Sequence, residues 1–153
     1  MADPIWVILG SDLKEMPVVM AKKELFRSGC FKKFFQWLGA IPVDRSGADV
    51  NALKQGLKTL KNGKKLIIFP EGTRVKEGEK VTPKGGAILF SVRTQTPVVP
   101  VYLSRRKKPF CPICCVFGTP YLPECSGGKG SEDEYQRLSE ELMCRIFKLG
   151  GSC

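Results

Sequence analysis

Histidine is absent from all 153 residues. That one absence removes His-based triads, imidazole general bases and His zinc ligands from the chemistry these residues can supply. Long apolar runs are missing too, and none approaches the roughly 18–20 residues that a membrane-spanning helix needs. Met1-Ala2-Asp3-Pro4 lacks the basic start and apolar stretch of a secretory leader, so the expectation is a chain on the cytosolic side. Acidic residues are scarce in one region only. Residues 51–110 hold 14 basic and 3 acidic side chains, against 7 and 6 in residues 1–50 and 4 and 6 in residues 111–153. A basic middle between near-neutral ends points to an anionic partner: phosphate, nucleic acid or a lipid headgroup surface. Any single lysine there is equally well explained as part of a solvated face.

The 7 cysteines are an odd number. Without a leader, that argues against a disulfide framework and for a reducing compartment. Cys111-Pro112-Ile113-Cys114-Cys115 contains one C-x-x-C, but no second pair and no histidine completes a zinc site. Cys125 and Cys144 stand at unconvincing spacings. No metal and no obligatory disulfide are expected.

Strand-like and helix-like segments alternate along the chain. Pro17–Ala21 is a short apolar run that predicts a buried strand. Phe31, Phe34, Phe35 and Leu38 recur at helical spacing with Lys32 and Lys33 between them, and Gly39 marks a stop. Rings and lysines in that pattern suit a bilayer surface, and core packing explains the rings equally well. Ile41-Pro42-Val43 is a short extended piece. Asp49 is a candidate N-cap for a helix with Val50, Leu53, Leu57 and Leu60 on one face, Lys54, Lys58 and Lys61 elsewhere, and Asn62-Gly63 at its end. Leu66–Phe69 predicts a central strand. Gly85-Gly86 leads into a buried helix over Ala87–Val92. Val98–Leu103 is strand-like with an irregularity at Pro100. Val116 and Phe117 suggest another strand, and Ser131 with Glu134 predicts a capping box for a last helix through Leu149. The alternation implies one layered α/β domain over residues 1–153, its sheet mixed but largely parallel and flanked by helices. Ligands of such sheets sit beyond the carboxyl ends of the strands.

Phe69-Pro70-Glu71-Gly72-Thr73-Arg74 lies at such an end. The proline stops the strand, the glycine lets backbone N–H groups approach a ligand, and the arginine offers a forked donor for phosphate. Glu71 is placed to orient that guanidinium or to accept from a substrate hydroxyl. Read in isolation, the same residues also fit a strand-ending turn with a surface ion pair.

Phe69–Arg74 resembles the most specific block of the glycerolipid acyltransferase family, in particular its 1-acylglycerol-3-phosphate acyltransferases. Gly39-Ala-Ile-Pro-Val-Asp-Arg45 is similar to that family's second block, where an arginine closes a G-x-I-x-x-x-R pattern. Val98-Val-Pro-Val101 is similar to its fourth block. Met20–Phe26 resembles the stretch ahead of the second block, and Lys84-Gly85-Gly86 the start of the helix after the E-G-T-R loop. These segments follow one another in the family's order.

The resemblance implies the glycerol-3-phosphate acyltransferase-like fold. It also implies transfer of a fatty acyl group from acyl-CoA or acyl carrier protein to lysophosphatidic acid, giving phosphatidic acid without metal or prosthetic group. Arg45 and Arg74 would hold the phosphate, and Glu71 would assist in binding the acceptor. Gly72, Thr73, Lys84 and Pro100 would complete the substrate-binding set. The site of action would be a membrane surface on the cytoplasmic side, with the chain attached peripherally and no nucleic acid as partner. The family's general base is a histidine in an H-x-x-x-x-D motif, and the chain departs from it there. Asp3, 19 residues before Lys22, falls where the motif aspartate belongs. The matching histidine would be the third residue upstream of Met1. The expectation is therefore a domain lacking its N-terminal part and inactive as it stands, since Asp3 alone is too weak a base for an alcohol. The rival accounts are a catalytically dead lipid-binding homologue and a basic nucleic-acid-binding module. Arg105-Arg106-Lys107-Lys108 favours the latter. The absence of a stacking platform of interleaved aromatics counts against it.

Overall fold

The computed structural model describes residues 16–26, 29, 33, 35, 39–44, 47, 49–72, 82–104, 114–125 and 130–151. They belong to two compact units, one within Ser11–Phe69 and one within Pro70–Cys153. Asp3, Arg45, Thr73, Arg74, Cys111 and the Arg105–Lys108 run lie outside the described residues.

The first unit is built on a parallel sheet. Strand β1 (Val18–Lys22) is central, with β2 (Ile41–Val43) on one side and β3 (Leu66–Ile67) on the other. β1 changes partner along its length. Val18 and Val19 pair with Leu66 and Ile67, whereas Met20, Ala21 and Lys22 pair with Ile41, Pro42 and Val43. Val19, Ala21 and Ile41 are buried, as period-two alternation requires of one sheet face. β3 is shorter than the predicted Leu66–Phe69 run. Its ladder ends at Ile67, and Ile68 and Phe69 continue as half-buried irregular chain.

Parallel strands need a crossover rather than a hairpin. Helix α1 (Val50–Lys61) supplies it between β2 and β3. Asp49 caps it as expected, its Oδ1 accepting the Ala52 N–H at 2.9 Å. The buried face differs from the expected one. Ala52 and Gly56 are buried, Leu53, Leu57 and Leu60 are half-buried, and Val50 is 56% exposed. Small residues let the helix come close to the sheet, which rotates the larger side chains to its flanks. From the expected Phe31–Trp37 helix, Lys33 and Phe35 are described and helical, and the Phe35 ring lies 5.5 Å from that of Phe26.

The second unit holds helices α2 (Gly86–Thr94) and α3 (Glu132–Gly150) and the antiparallel pair β4 (Val101–Leu103) and β5 (Cys115–Phe117). Ile88, Val92, Leu138 and Leu142 form its buried core, with Val98, Tyr121, Tyr135 and Ile146 packed around them. Ser131 and Glu134 form the predicted capping box, each side chain accepting the other residue's backbone N–H. The expected Val98–Leu103 strand is interrupted. Val98 makes an isolated bridge to Tyr121, and the β4 ladder starts only after Pro100, which has no N–H to donate. Where α3 ends, it passes so close to β4 that a Cβ on Gly150 would lie 2.6 Å from the Tyr102 ring.

The expectation of no disulfide is corrected at one position. Cys114 is disulfide-bonded, while Cys115, Cys125 and Cys144 are free thiols. An odd cysteine count speaks against a framework of bridges, yet one pairing needs only two of the seven sulfurs. The α/β class holds: a parallel sheet with helices against it, and an antiparallel pair that makes the strand set mixed.

Candidate functional site

In the second unit the Glu71-Gly72 turn is fastened to the segment that starts α2. The Lys84 N–H donates to the Pro70 carbonyl at 2.9 Å. Gly72 has φ +62°, a left-handed conformation that glycine adopts without the Cβ penalty. The absent Cβ serves a second purpose. One built at Gly72 would lie 2.9 Å from Lys84 Cδ, 3.1 Å from Cε and 3.3 Å from Cγ. The Lys84 stem therefore crosses the bare α-carbon of Gly72, and the lysine is exposed. Gly85 then opens α2, whose first N–H groups lack intrahelical partners and add partial positive charge at the same place. Three expected site residues, Glu71, Gly72 and Lys84, thus lie together, at a place suited to a small anion. Pro100 lies in another part of this unit. It is buried, and its carbonyl accepts the Gly118 N–H at 2.8 Å.

In the first unit the residue ahead of Arg45 is held from two sides. The Asp49 Oδ2 accepts the Asp44 N–H at 2.8 Å while its Oδ1 caps α1. These two backbone N–H groups hold the Asp49 carboxyl below the usual aspartate range, the Asp44 contact contributing most. The Asp44 side chain forms an ion pair and hydrogen bond with Lys23, which raises the lysine. The sheet register explains the pair, because Lys22 opposite Val43 brings the next residues of both strands side by side. So exposed a pair contributes little to stability; its effect is to fix the exit of β2 against the exit of β1. Sequence reasoning assigned Asp49 only its cap and passed over Lys23. The signal was the second lysine of Met20-Ala-Lys-Lys, which becomes legible only once the parallel pairing is known.

An open groove of about 550 Å³ runs along α3, lined by Pro83, Glu140, Met143, Cys144, Phe147 and Lys148. Among the described residues no group of three His, Cys, Asp or Glu side chains is placed to hold a metal ion.

The sequence profile of the family described as Acyltransferase matches residues 3–104, more than half of the chain. A 1-acyl-sn-glycerol-3-phosphate acyltransferase of Bacillus subtilis is 40% identical over 81 residues, which are 53% of this chain and 40% of that protein. Its counterpart from Helicobacter pylori is 36% identical over 142 residues, 85% of this chain and 60% of that one. The crystal structure of the 1-acyl-sn-glycerophosphate (LPA) acyltransferase PlsC from Thermotoga maritima aligns with a TM-score of 0.64 at 25% identity, over 88% of this chain and 56% of that one. The chain spans less than two thirds of the length of each of these proteins.

Proposed function

The chain belongs to the acyltransferase family, and from that premise we propose that it serves transfer of a fatty acyl group from acyl-CoA or acyl carrier protein to 1-acylglycerol-3-phosphate, forming phosphatidic acid. The observation that carries the proposal is the Gly72 turn beneath Lys84, an anion-suited corner built from the E-G-T-R block. The names of the relatives supply the acceptor.

In this reading the acceptor hydroxyl oxygen attacks the thioester carbonyl carbon, the carbon–sulfur bond breaks, and the donor thiol leaves. Arg45 and Arg74 hold the acceptor phosphate, for which a guanidinium fork is suited. Glu71 receives a polar group of the acceptor, Lys84 adds positive charge beside Gly72, and Thr73 and Pro100 are assigned to the same substrate-binding set. Neither metal nor prosthetic group is called for. The hydroxyl proton still needs a base, and these 153 residues contain no histidine. Asp3 is assigned the orienting partner of an imidazole that must be supplied from outside them. The same absence favours a second reading, a lipid-binding domain without turnover. The acceptor is a membrane lipid, so we place the chain peripherally at the cytoplasmic face of a membrane, with no nucleic acid as partner. Among the described residues no helix is long and apolar enough to cross a bilayer.

The test pairs calorimetry with an acyl-transfer assay. The 153 residues should bind lysophosphatidate yet show no transfer above background, because losing general-base catalysis costs about 10²–10⁴-fold. A chain extended so that a histidine stands five positions before Asp3 should turn over. Transfer by the unextended chain would refute the need for that histidine. Failure of both chains to bind lysophosphatidate would overturn the assignment, and binding without turnover in the extended chain would leave the lipid-binding reading.

A further inference from the structure

The sixteen residues Val50–Lys65 contain five lysines, no acidic residue and no aromatic one. All five lysines are exposed, and among the described residues no carboxylate pairs with any of them. Their arrangement on α1 is regular. At about 100° per residue, Lys54, Lys58 and Lys61 fall within a stripe roughly 60° wide. The buried residues Ala52 and Gly56 lie diametrically opposite. Lys64 and Lys65 extend the charge past the helix end, and the exposed Val50 borders the stripe, about 20° outside its edge and one turn before Lys54. Same-sign neighbours at i,i+4 repel, so a stripe with no interspersed acid opposes the helix it stands on. Three basic residues elsewhere among those described each have a carboxylate partner: Lys23 in Asp44, Lys22 in Glu24, and Arg145 in Glu141 four residues away.

We propose that this lysine stripe, Lys54, Lys58 and Lys61 with Lys64 and Lys65, is an electrostatic docking surface for an anionic lipid bilayer. The choice of a bilayer rests on the reading above that the acceptor is a membrane lipid. The composition favours it independently. Lysine is a point charge on a flexible stem, suited to a diffuse layer of mobile headgroups, whereas arginine suits a fixed phosphate geometry, and the stripe has no arginine. Without an aromatic residue it offers the bases of a nucleic acid no ring to stack on. A flat surface can meet the three lysines of the helix stripe at once, with Val50 at the edge of the contact and Lys64 and Lys65 adding charge beyond the helix end.

Co-sedimentation with phosphatidylcholine vesicles, with and without phosphatidylglycerol, tests the proposal. The chain should bind the anionic vesicles, bind the neutral ones little, and release as salt rises. Each lysine near such a surface contributes about fivefold, so Lys54→Gln/Lys58→Gln/Lys61→Gln should weaken anionic-vesicle binding on the order of a hundredfold. Circular dichroism should show α1 retained in that variant, since it relieves repulsion. Arg93→Gln/Arg137→Gln/Lys148→Gln removes the same charge elsewhere and should bind nearly as the parent does. Equal losses in the two variants would reduce the effect to net charge and overturn the proposal. So would parent-like vesicle binding by the lysine variant, including the case where it loses only binding to polynucleotide or to an acidic carrier protein. Calorimetry with monomeric lysophosphatidate separates the two readings. If the parent fails to bind it while the vesicle difference persists, the docking surface stands and the acceptor assignment falls.

Discussion

Lys84 lies across Gly72 at a distance that leaves no room for a β-carbon: 2.9 Å to its Cδ. Two effects would oppose a side chain at position 72, and they separate experimentally. The lysine stem is flexible and can move aside, whereas the backbone at φ +62° cannot be made comfortable for alanine. Gly72→Ala should therefore cost about 1–2 kcal/mol in denaturant unfolding, the left-handed penalty. Adding Lys84→Ala should recover little of it. Gly72→Asn should cost less than Gly72→Ala, since asparagine tolerates this region. Full recovery in the double variant would mean that the contact, and not the backbone, dominates.

Asp49 makes stability pH-dependent in a defined direction. Its carboxyl is held down first by the Asp44 N–H and then by the Ala52 N–H. A group lowered in the fold contributes stability that is complete above its unfolded value and lost as pH falls through its folded one. The Tm difference between the parent and Asp49→Asn should thus be constant at neutral pH and shrink below about pH 4. Lys23, raised by Asp44, works the other way: its contribution is complete below its unfolded value and lost as strongly alkaline pH passes its folded one. A Tm difference that stays flat into acid would exclude the Asp49 carboxylate as the tie.

Arg74→Lys keeps the charge and removes the fork. If Arg74 holds the acceptor phosphate through two parallel hydrogen bonds, lysophosphatidate binding should weaken by about 1–2 kcal/mol. Calorimetry reads this directly, and unchanged affinity in both Arg74→Lys and Arg74→Ala removes Arg74 from the phosphate site.

At the far end of the second unit, Gly150→Ala would press a methyl group against the Tyr102 ring, 2.6 Å from Cε2 and 2.7 Å from Cζ. A ring packed between a helix and a strand cannot swing away as a lysine can. The substitution should cost about 1–3 kcal/mol, as overpacking does. Ser131→Ala, at the other end of the same helix, should cost about 1 kcal/mol by losing its cap. Tyr102→Ala in the Gly150→Ala background should restore part of the first loss and none of the second.

Local signals in the sequence translated well. Asp49 and Ser131 cap the helices their positions announce, because a cap is decided within four residues of chain. Signals that depend on partners translated less well. Ile68 and Phe69 look like strand, but the parallel ladder between β1 and β3 stops at Ile67, a limit set by the partner strand and not by these two residues. Val50 has the spacing of a core residue yet borders the lysine stripe, because Ala52 and Gly56 set the angle at which the helix meets the sheet. At the candidate site, the E-G-T-R block was recognisable, and Lys84 was named beside it. That its stem crosses the α-carbon of Gly72 depends on a fold-back between residues twelve apart, which no periodicity encodes.

The central position of β1 has a kinetic consequence. It is made first of the three strands, yet both of its partners come later, β3 some forty residues on. At ribosomal rates of about 5–20 residues per second, β1 waits roughly two to nine seconds for its last partner to be synthesised. In that interval the apolar Val18-Val19-Met20-Ala21 segment has no complete sheet to enter, and parallel closure over such a span is slow in any case. Until β3 emerges, the edge of β1 that it will cover is unpaired, and an unpaired apolar strand edge is what makes a nascent chain prone to aggregate.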